Sequence, residues 1–232
     1  MDEIKGWRVE TCKGPKQGCP NRAAPDDALA ADLDGVFRGR DFGVGLRALV
    51  GGKLKHRHEF SVAIADCPNA CSRPQIADLG LIGAAEPSFT NEACHQCMGC
   101  VHACREGAIV HPGQLPIINH ERCVRCGSCC RVCLSGTLQV GRRGWRIQLG
   151  GKLGRHPRLG RELEGIFRRE GVLAAAGCCI EFYLRCARAG ERLGDLLQRV
   201  GDEELASCID TSALRAAHEP PRRPAPILRG PV

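Results

Sequence analysis

Aromatic side chains are scarce in this sequence: they make up 4% of its 232 residues, as 6 Phe, 2 Trp and 1 Tyr. Proteins that grip single strands of nucleic acid stack bases on such rings, so a nucleic-acid partner is not expected. Long apolar runs are missing too. No stretch approaches the roughly 20 residues that a spanning helix needs, which excludes a membrane span of that kind. The opening, MDEIKGWRVE, has no apolar segment of the sort a secretory signal carries. Together these absences point to the cytoplasm, where cysteines more often bind metal than pair as disulfides. Cysteine is what the sequence has in excess, with 17 residues.

The remaining composition is that of a folded protein, 43% hydrophobic and 25% charged. The formal charge of +7 has an explanation other than a polyanionic partner. Twelve thiolates around three oxidised four-iron cores, each core carrying about two positive charges, would remove about six charges. The basic surplus then compensates metal centres, and a polyanionic cofactor would take up the rest.

An internal repeat occupies the middle of the chain. Cys94, Cys97, Cys100 and Cys104 recur as Cys123, Cys126, Cys129 and Cys133, each displaced by 29 residues. Glu92 and Glu121 share that offset, as do Gly107 and Gly136, with Ala108-Ile109 matching Thr137-Leu138. The unit reads as a Cys-rich loop, a short turn of helix, then a glycine and a short strand. Two such units are too small to build an apolar core without metal. Around them lie two segments that read as one interrupted domain. Phe60–Ala65 alternates as a strand ending near Cys67, Pro74 stands where a helix can start, and Leu79–Ile82 is a short strand. After the repeat, Trp145–Leu149 alternates again and runs into Gly150-Gly151. Val172, Ala176, Cys179, Tyr183 and Cys186 fall on one helical face. Leu193, Leu196, Leu197 and Val200 form a second amphipathic helix closed by Gly201. The expected boundaries are 1–88 and 141–215 for the interrupted domain, 89–140 for the insert, and 216–232 for a Pro/Arg-rich disordered tail.

Three cysteines at consecutive two-residue gaps, with a fourth three residues on, wrap one corner of a cubane and offer the last thiolate to a neighbouring cluster. One four-iron cluster therefore takes Cys94, Cys97, Cys100 and Cys133, and the other Cys123, Cys126, Cys129 and Cys104. Zinc prefers paired knuckles across a longer loop and fits this spacing badly. The segment resembles bacterial two-cluster ferredoxins, with Arg105 and Leu134 where those proteins have a proline. Cys130 occupies the place of Val101 in the first repeat and is expected to be a packed side chain. His95 and His102 lie between ligands, where a hydrogen bond to sulfur and a solvated loop position both stay open. Cys179 and Cys186 read as small hydrophobes on a helix face, and Cys178 and Cys208 have no nameable partner.

Outside the repeat, Cys67 and Cys71 sit at a tight strand-to-helix turn, and Cys12 and Cys19 flank a Lys-Gly-Pro-Lys-Gln-Gly loop. Four thiolates from two loops can complete a further cubane. The text around them, DCPNACSRPQIADLGLIG, resembles the second cluster-binding motif of the sirohaem-dependent sulfite and nitrite reductases, and IQLGGKLGRHPRLGREL is similar to that family's Gly-Gly loop near the tetrapyrrole. The resemblance, over about residues 8–205, implies an α+β sirohaem and four-iron reductase domain with an inserted two-cluster ferredoxin module. It implies three [4Fe-4S] clusters and sirohaem, with Cys71 as the thiolate bridge and Cys12, Cys19 and Cys67 as the other ligands. Six-electron reduction of sulfite, or of nitrite, is the implied activity, fed by an external donor such as a ferredoxin or a reductase subunit. The alternative is an electron-transfer protein that keeps the clusters without sirohaem. Sirohaem carries eight carboxylates, so basic groups are expected around it. The candidates are Lys53, Lys55, Arg57, Asn69 and Arg73 before the insert and Gly150, Gly151, Lys152, Arg155 and His156 after it, with Cys71, Arg73 and Lys152 nearest the chemistry. The family pattern also has a preceding ferredoxin-like half, so an upstream segment or second chain is expected to complete the pocket.

Overall fold

The computed structural model describes residues 4–211, so the tail expected at 216–232 lies outside the described residues. The described residues divide into two units, one built from residues 4–84 and 143–211 and the other from 85–142.

The first unit is built on a sheet in the order β1-β2-β3-β6-β7, comprising β1 (Trp7–Thr11), β2 (Phe60–Ala65), β3 (Leu79–Phe89), β6 (Leu138–Leu149) and β7 (Arg161–Glu162). β1 runs parallel to β2, with Trp7 opposite Phe60 and Thr11 opposite Ile64, and β2 parallel to β3. A parallel neighbour needs a crossover, and here α1 (Gly14–Gln17), α2 (Leu29–Gly39) and α3 (Phe42–Val50) lie in the β1–β2 connection. Every residue of β2 is buried, so it is covered on both faces rather than half exposed. The strand expected at Leu79–Ile82 continues to Phe89, and Trp145–Leu149 is only the end of a twelve-residue strand. At Pro74 a single 3-10 turn, Pro74–Ile76, replaces the expected helix.

Helices complete the core. α6 (Arg169–Cys186) and α7 (Leu193–Val200), closed by Gly201, match the apolar periodicity. α6 is buried well beyond one stripe, including Gly177, Cys178 and Phe182, because it packs against α2, α3, α7 and α8 (Glu203–Thr211). The few aromatics gather here: Trp7 stacks on Phe37 at 5.7 Å, Phe37 meets Phe42 edge-on at 5.2 Å, and Phe60 meets Tyr183 at 5.7 Å. Each such pair contributes about 0.5–1.5 kcal/mol beyond its burial. Cys179 is fully buried, as a small hydrophobe should be. Cys178 and Cys208 correct the sequence reading: they are joined as a disulfide that ties α6 to α8, with 6.1 Å between their Cα atoms.

In the second unit, α4 (Gly99–Ala103) and α5 (Ser128–Arg131) are the short helical turns, and β4 (Ile109–Val110) pairs antiparallel with β5 (Ile117–Ile118). The repeat is visible in the backbone. Gln96 and Arg125 are both left-handed, at φ 54° and 59°, as are Met98 and Gly127 at 58° and 69° and Gly107 and Gly136 at 57° and 75°. Non-glycine residues rarely adopt this region, so the shared outliers show that both Cys-rich loops take one conformation. A Cβ at Gly127 would come within 2.8 Å of the Ala85 side chain, which is why the second loop needs glycine where the first tolerates Met98. The apolar core of this unit is small: Ile109, Ile118 and Leu138 with Cys100 and Cys129.

Candidate metal centres

Parallel pairing of β1 and β2 brings Cys12 and Cys67 together, since both lie just past the same ends of adjacent strands. The Cys12 N–H extends the ladder by donating to Ile64 O at 2.8 Å. α1 starts at Gly14 with Pro15 in its first turn, Gly18 ends it in the left-handed region, and the Cys19 N–H returns to Gly14 O at 3.1 Å. A Cβ at Gly14 would sit 3.3 Å from Cys12 Sγ and 3.4 Å from Cys19 Cβ, so the glycine keeps the gap between these residues open. On the other loop, Ala70 and Arg73 are left-handed, at φ 52° and 56°. Ala70 donates to Cys67 O, Arg73 to Ala70 O, and Ser72 Oγ to Ile64 O at 2.7 Å. This tight turn leaves Cys71 exposed and Cys67 half-buried. Burial pushes the Cys67 thiol up, and Cys19, Cys71 and Cys12 push it the same way, against a backbone hydrogen bond from Asn69. Cys12, Cys19 and Cys71 thus all lie close enough to Cys67 to act on its charge. The loop after Cys19 is held by Arg22, which pairs with Asp66 and Asp27, and by Asp66 O, which accepts from Ala23 and Ala24.

Two further thiol sets lie in the second unit. Cys94, Cys97, Cys100 and Cys133 line one small cavity together with His111, Pro116, Ser135 and Thr137. Cys123 is pushed up first by burial and then by Cys129, Cys126 and Cys104, which groups the other four cysteines. Cys133 thus lines a cavity with the first run's three cysteines, and Cys104 lies close enough to the second run to act on Cys123. Burial would raise Cys133, but hydrogen bonds from Ser135 and the backbone at 136–138 hold it below the usual thiol value. Cys130 lies beside the second set and hydrogen-bonds Cys129, pushing that thiol up while its own is lowered. Among the described residues, no three His, Cys, Asp or Glu side chains are grouped tightly enough to clasp a single metal ion. Ligands of one zinc crowd within two 2.3 Å bonds of each other, whereas a cubane presents its irons at separate corners. All-thiolate donor sets suit iron–sulfur clusters.

Beside the Cys71 turn lies an open cleft of about 240 Å³ lined by Arg8, Glu10, Ser61, Ser72, Arg73 and Arg192 among others. Arg8 and Glu10 alternate along β1 in register with Cys12, so they share its face. Arg192 is fixed by Asp78, which is 1% exposed and also accepts from Ser61 N and Oγ at 2.8 and 2.7 Å. Of the basic candidates, Arg73 lines this cleft. Asn69 is exposed on the same turn. Lys152 is only 12% exposed and ion-paired with Asp195, and Lys53, Lys55, Arg57, Arg155 and His156 are exposed and outside the cleft lining. Gly150 and Gly151 are buried packing positions: a Cβ at Gly151 would lie 2.3 Å from Gln75 O, and one at Gly150 would lie 2.9 Å from Gly194 Cα. Sequence reasoning missed Arg8 and Arg192. The alternation Arg8-x-Glu10-x-Cys12 was the available signal for the first, and Arg192, distant in sequence, gave none.

No described helix is long and apolar enough to cross a membrane. Over 98 residues the chain is 42% identical to a coenzyme F420-dependent sulfite reductase of Methanocaldococcus jannaschii, covering 42% of this chain and 16% of that protein. Over 52 residues it is 40% identical to one of the subunits of the anaerobic sulfite reductase of Salmonella typhimurium, covering 22% of this chain and 15% of that one. The chain therefore spans a small part of the curated relatives it matches. Its fold is similar to that of dissimilatory sulfite reductase I, with a TM-score of 0.59 and 18% identity over 94% of this chain and 55% of that structure. Residues 53–216, more than half of the sequence, match the model of the nitrite and sulphite reductase 4Fe-4S domain, and the chain belongs to that family of iron–sulfur oxidoreductases.

Proposed function

We propose that this chain is the sirohaem-binding and cluster-binding part of a sulfite reductase, with nitrite as the other oxyanion its site would take. The observation that carries this reading is the convergence of Cys12, Cys19, Cys67 and Cys71 beside an arginine-lined cleft in a member of this family. Cys12, Cys19, Cys67 and Cys71 hold a four-iron cluster, and the exposed Cys71 is the ligand whose thiolate also bridges outward. Arg8, Arg73 and Arg192 offer guanidinium groups for carboxylates or an oxyanion. The donor chemistry therefore fits sirohaem. Enclosed ligand pockets run from about 300 to 1,000 Å³, and a cleft of about 240 Å³ fits one wall of a tetrapyrrole site, closed by a further segment or chain. Sirohaem, when bound, supplies an iron that takes the oxyanion and passes it electrons one at a time.

The chain's own residues set the surroundings. Asp78 holds Arg192 at the cleft, and Ser61 and Ser72 add hydroxyls to its wall. The eight cysteines of residues 85–142 hold two further four-iron clusters as an inserted ferredoxin-like module, through which an external donor protein feeds the site. The setting is the cytoplasm. The small, open cleft favours a second reading, an electron-transfer subunit that keeps three clusters and leaves sirohaem to a partner.

Anaerobic purification followed by acid-acetone extraction separates the two. An isobacteriochlorin recovered with about twelve irons supports the reductase. The same iron content with no extractable tetrapyrrole leaves the electron carrier.

A further inference from the structure

The two thiol sets of the second unit share a backbone but not their hydrogen bonds. The N–H of Gln96 donates to Cys94 Sγ at 3.4 Å, and its repeat partner Arg125 donates to Cys123 in the same way. Ala108 N reaches Cys104 Sγ at 3.2 Å and Leu138 N reaches Cys133 Sγ at 3.3 Å, again one per set. A serine hydroxyl lies beside one sulfur of each set, Ser135 at Cys133 and Ser128 at Cys126. Two contacts have no counterpart: in the second set Cys130 meets Cys129 where the first repeat has Val101, and in the first set His111 Nε2 stands 3.4 Å from Cys94 Sγ inside its cavity. At the repeat offset of 29 the second set has Val140, which offers no hydrogen-bond donor. His95 and His102, which sequence spacing pointed to, are exposed instead.

A thiolate that ligates iron has no proton to give, so in that contact the imidazole N–H is the donor. Pro112 follows immediately, and a residue before proline is held extended, which restrains the backbone from which the ring projects. Hydrogen bonds to cluster sulfurs stabilise the reduced, more negative state and raise the potential. We propose that His111 tunes the cluster at Cys94, Cys97, Cys100 and Cys133 through the Cys94 sulfur, holding its reduction potential above the value it would have without that donor. This rests on the reading of these eight cysteines as two four-iron clusters.

The test uses the full chain, purified anaerobically, as wild type, His111→Leu and His111→Gln. Iron content is measured first, then the midpoint of each reduced cubane by EPR-monitored redox titration. We expect unchanged iron, a downward shift of one midpoint in His111→Leu with the other unmoved, and recovery toward wild type in His111→Gln. Full iron with both midpoints unmoved, or both displaced equally, overturns the role of His111. Wild type lacking two cubane signals overturns the cluster reading beneath it. If His111→Leu fails to assemble, wild type grown with nitrogen-15 histidine decides. Coupling of a histidine nitrogen to one reduced cluster that disappears in His111→Gln supports the assignment, and no such coupling overturns it.

Discussion

Removing the carboxylate of Asp78 should unfold the first unit more readily than any surface change. This side chain accepts hydrogen bonds from Ser61 N and Oγ, from Arg192 Nε and Nη2 at 3.0 and 2.6 Å, and from Leu193 N at 3.3 Å. Its backbone oxygen also accepts from Gly150 N at 2.8 Å. It therefore joins β2, the start of β3, the Gly150 loop and the first turn of α7. Burial by itself would lower the Arg192 guanidinium, but the Asp78 carboxylate outweighs it and holds the charge. Asp78→Ala removes the partner of that cation and of three buried donors, Ser61 N, Ser61 Oγ and Leu193 N, a loss of about 3–5 kcal/mol for a buried pair broken on one side. The Arg192 side chain keeps 27% exposure, so water reaches it and the lower end, about 3 kcal/mol, is expected. For a domain of this size each kcal/mol moves the midpoint by about 2–4 °C, giving a fall of about 6–12 °C. Thermal unfolding of the anaerobic protein followed by circular dichroism reads this directly. Asp78→Asn combined with Arg192→Met should recover part of the loss, because it removes the stranded charge. A midpoint for Asp78→Ala within about 2 °C of wild type, a shift of no more than about 1 kcal/mol, would refute the reasoning.

Other consequences are open to simpler measurements. Gly151→Ala places a Cβ 2.3 Å from Gln75 O and 2.8 Å from Ala77 O. It should cost about 1–3 kcal/mol in denaturant unfolding, and an unchanged midpoint would show that the loop yields freely. Glu191 is held below its ordinary value of 4.5 first by Arg199, against some burial, and then by the backbone N–H of Arg188. Its folded pKa is depressed, so its contribution is complete above pH 4.5 and disappears as pH falls through the lower folded value. Glu191→Gln should therefore lose about 0.2–1 kcal/mol at pH 7 and match wild type in strong acid; a gap that widens on acidification contradicts the assignment.

Much of the candidate site was legible because the cysteine pattern is written as local spacing. The offset of 29 that repeats the cysteines also repeats the left-handed residues Gln96 and Arg125, since both loops meet the same steric demand. Helices α6 and α7 and strand β2 follow from apolar periodicity. What escaped depends on residues far apart in the chain. The pairing of Cys178 with Cys208 needs two helices to pack side by side, and neither sequence segment carries that information. Arg192 reaches the cleft only because Asp78, 114 positions earlier, draws it there. Gly150 and Gly151 look like a ligand loop but meet backbone at contact distance, so close packing accounts for them.

The central claim is that Cys71 joins a cluster to a second iron centre, and Mössbauer spectroscopy of anaerobically prepared wild type and Cys71→Ser tests it most directly. The account predicts a haem iron magnetically coupled to one cubane in wild type, with that coupling lost in the variant and the two clusters of residues 85–142 retained. Coupling that survives in Cys71→Ser would contradict it.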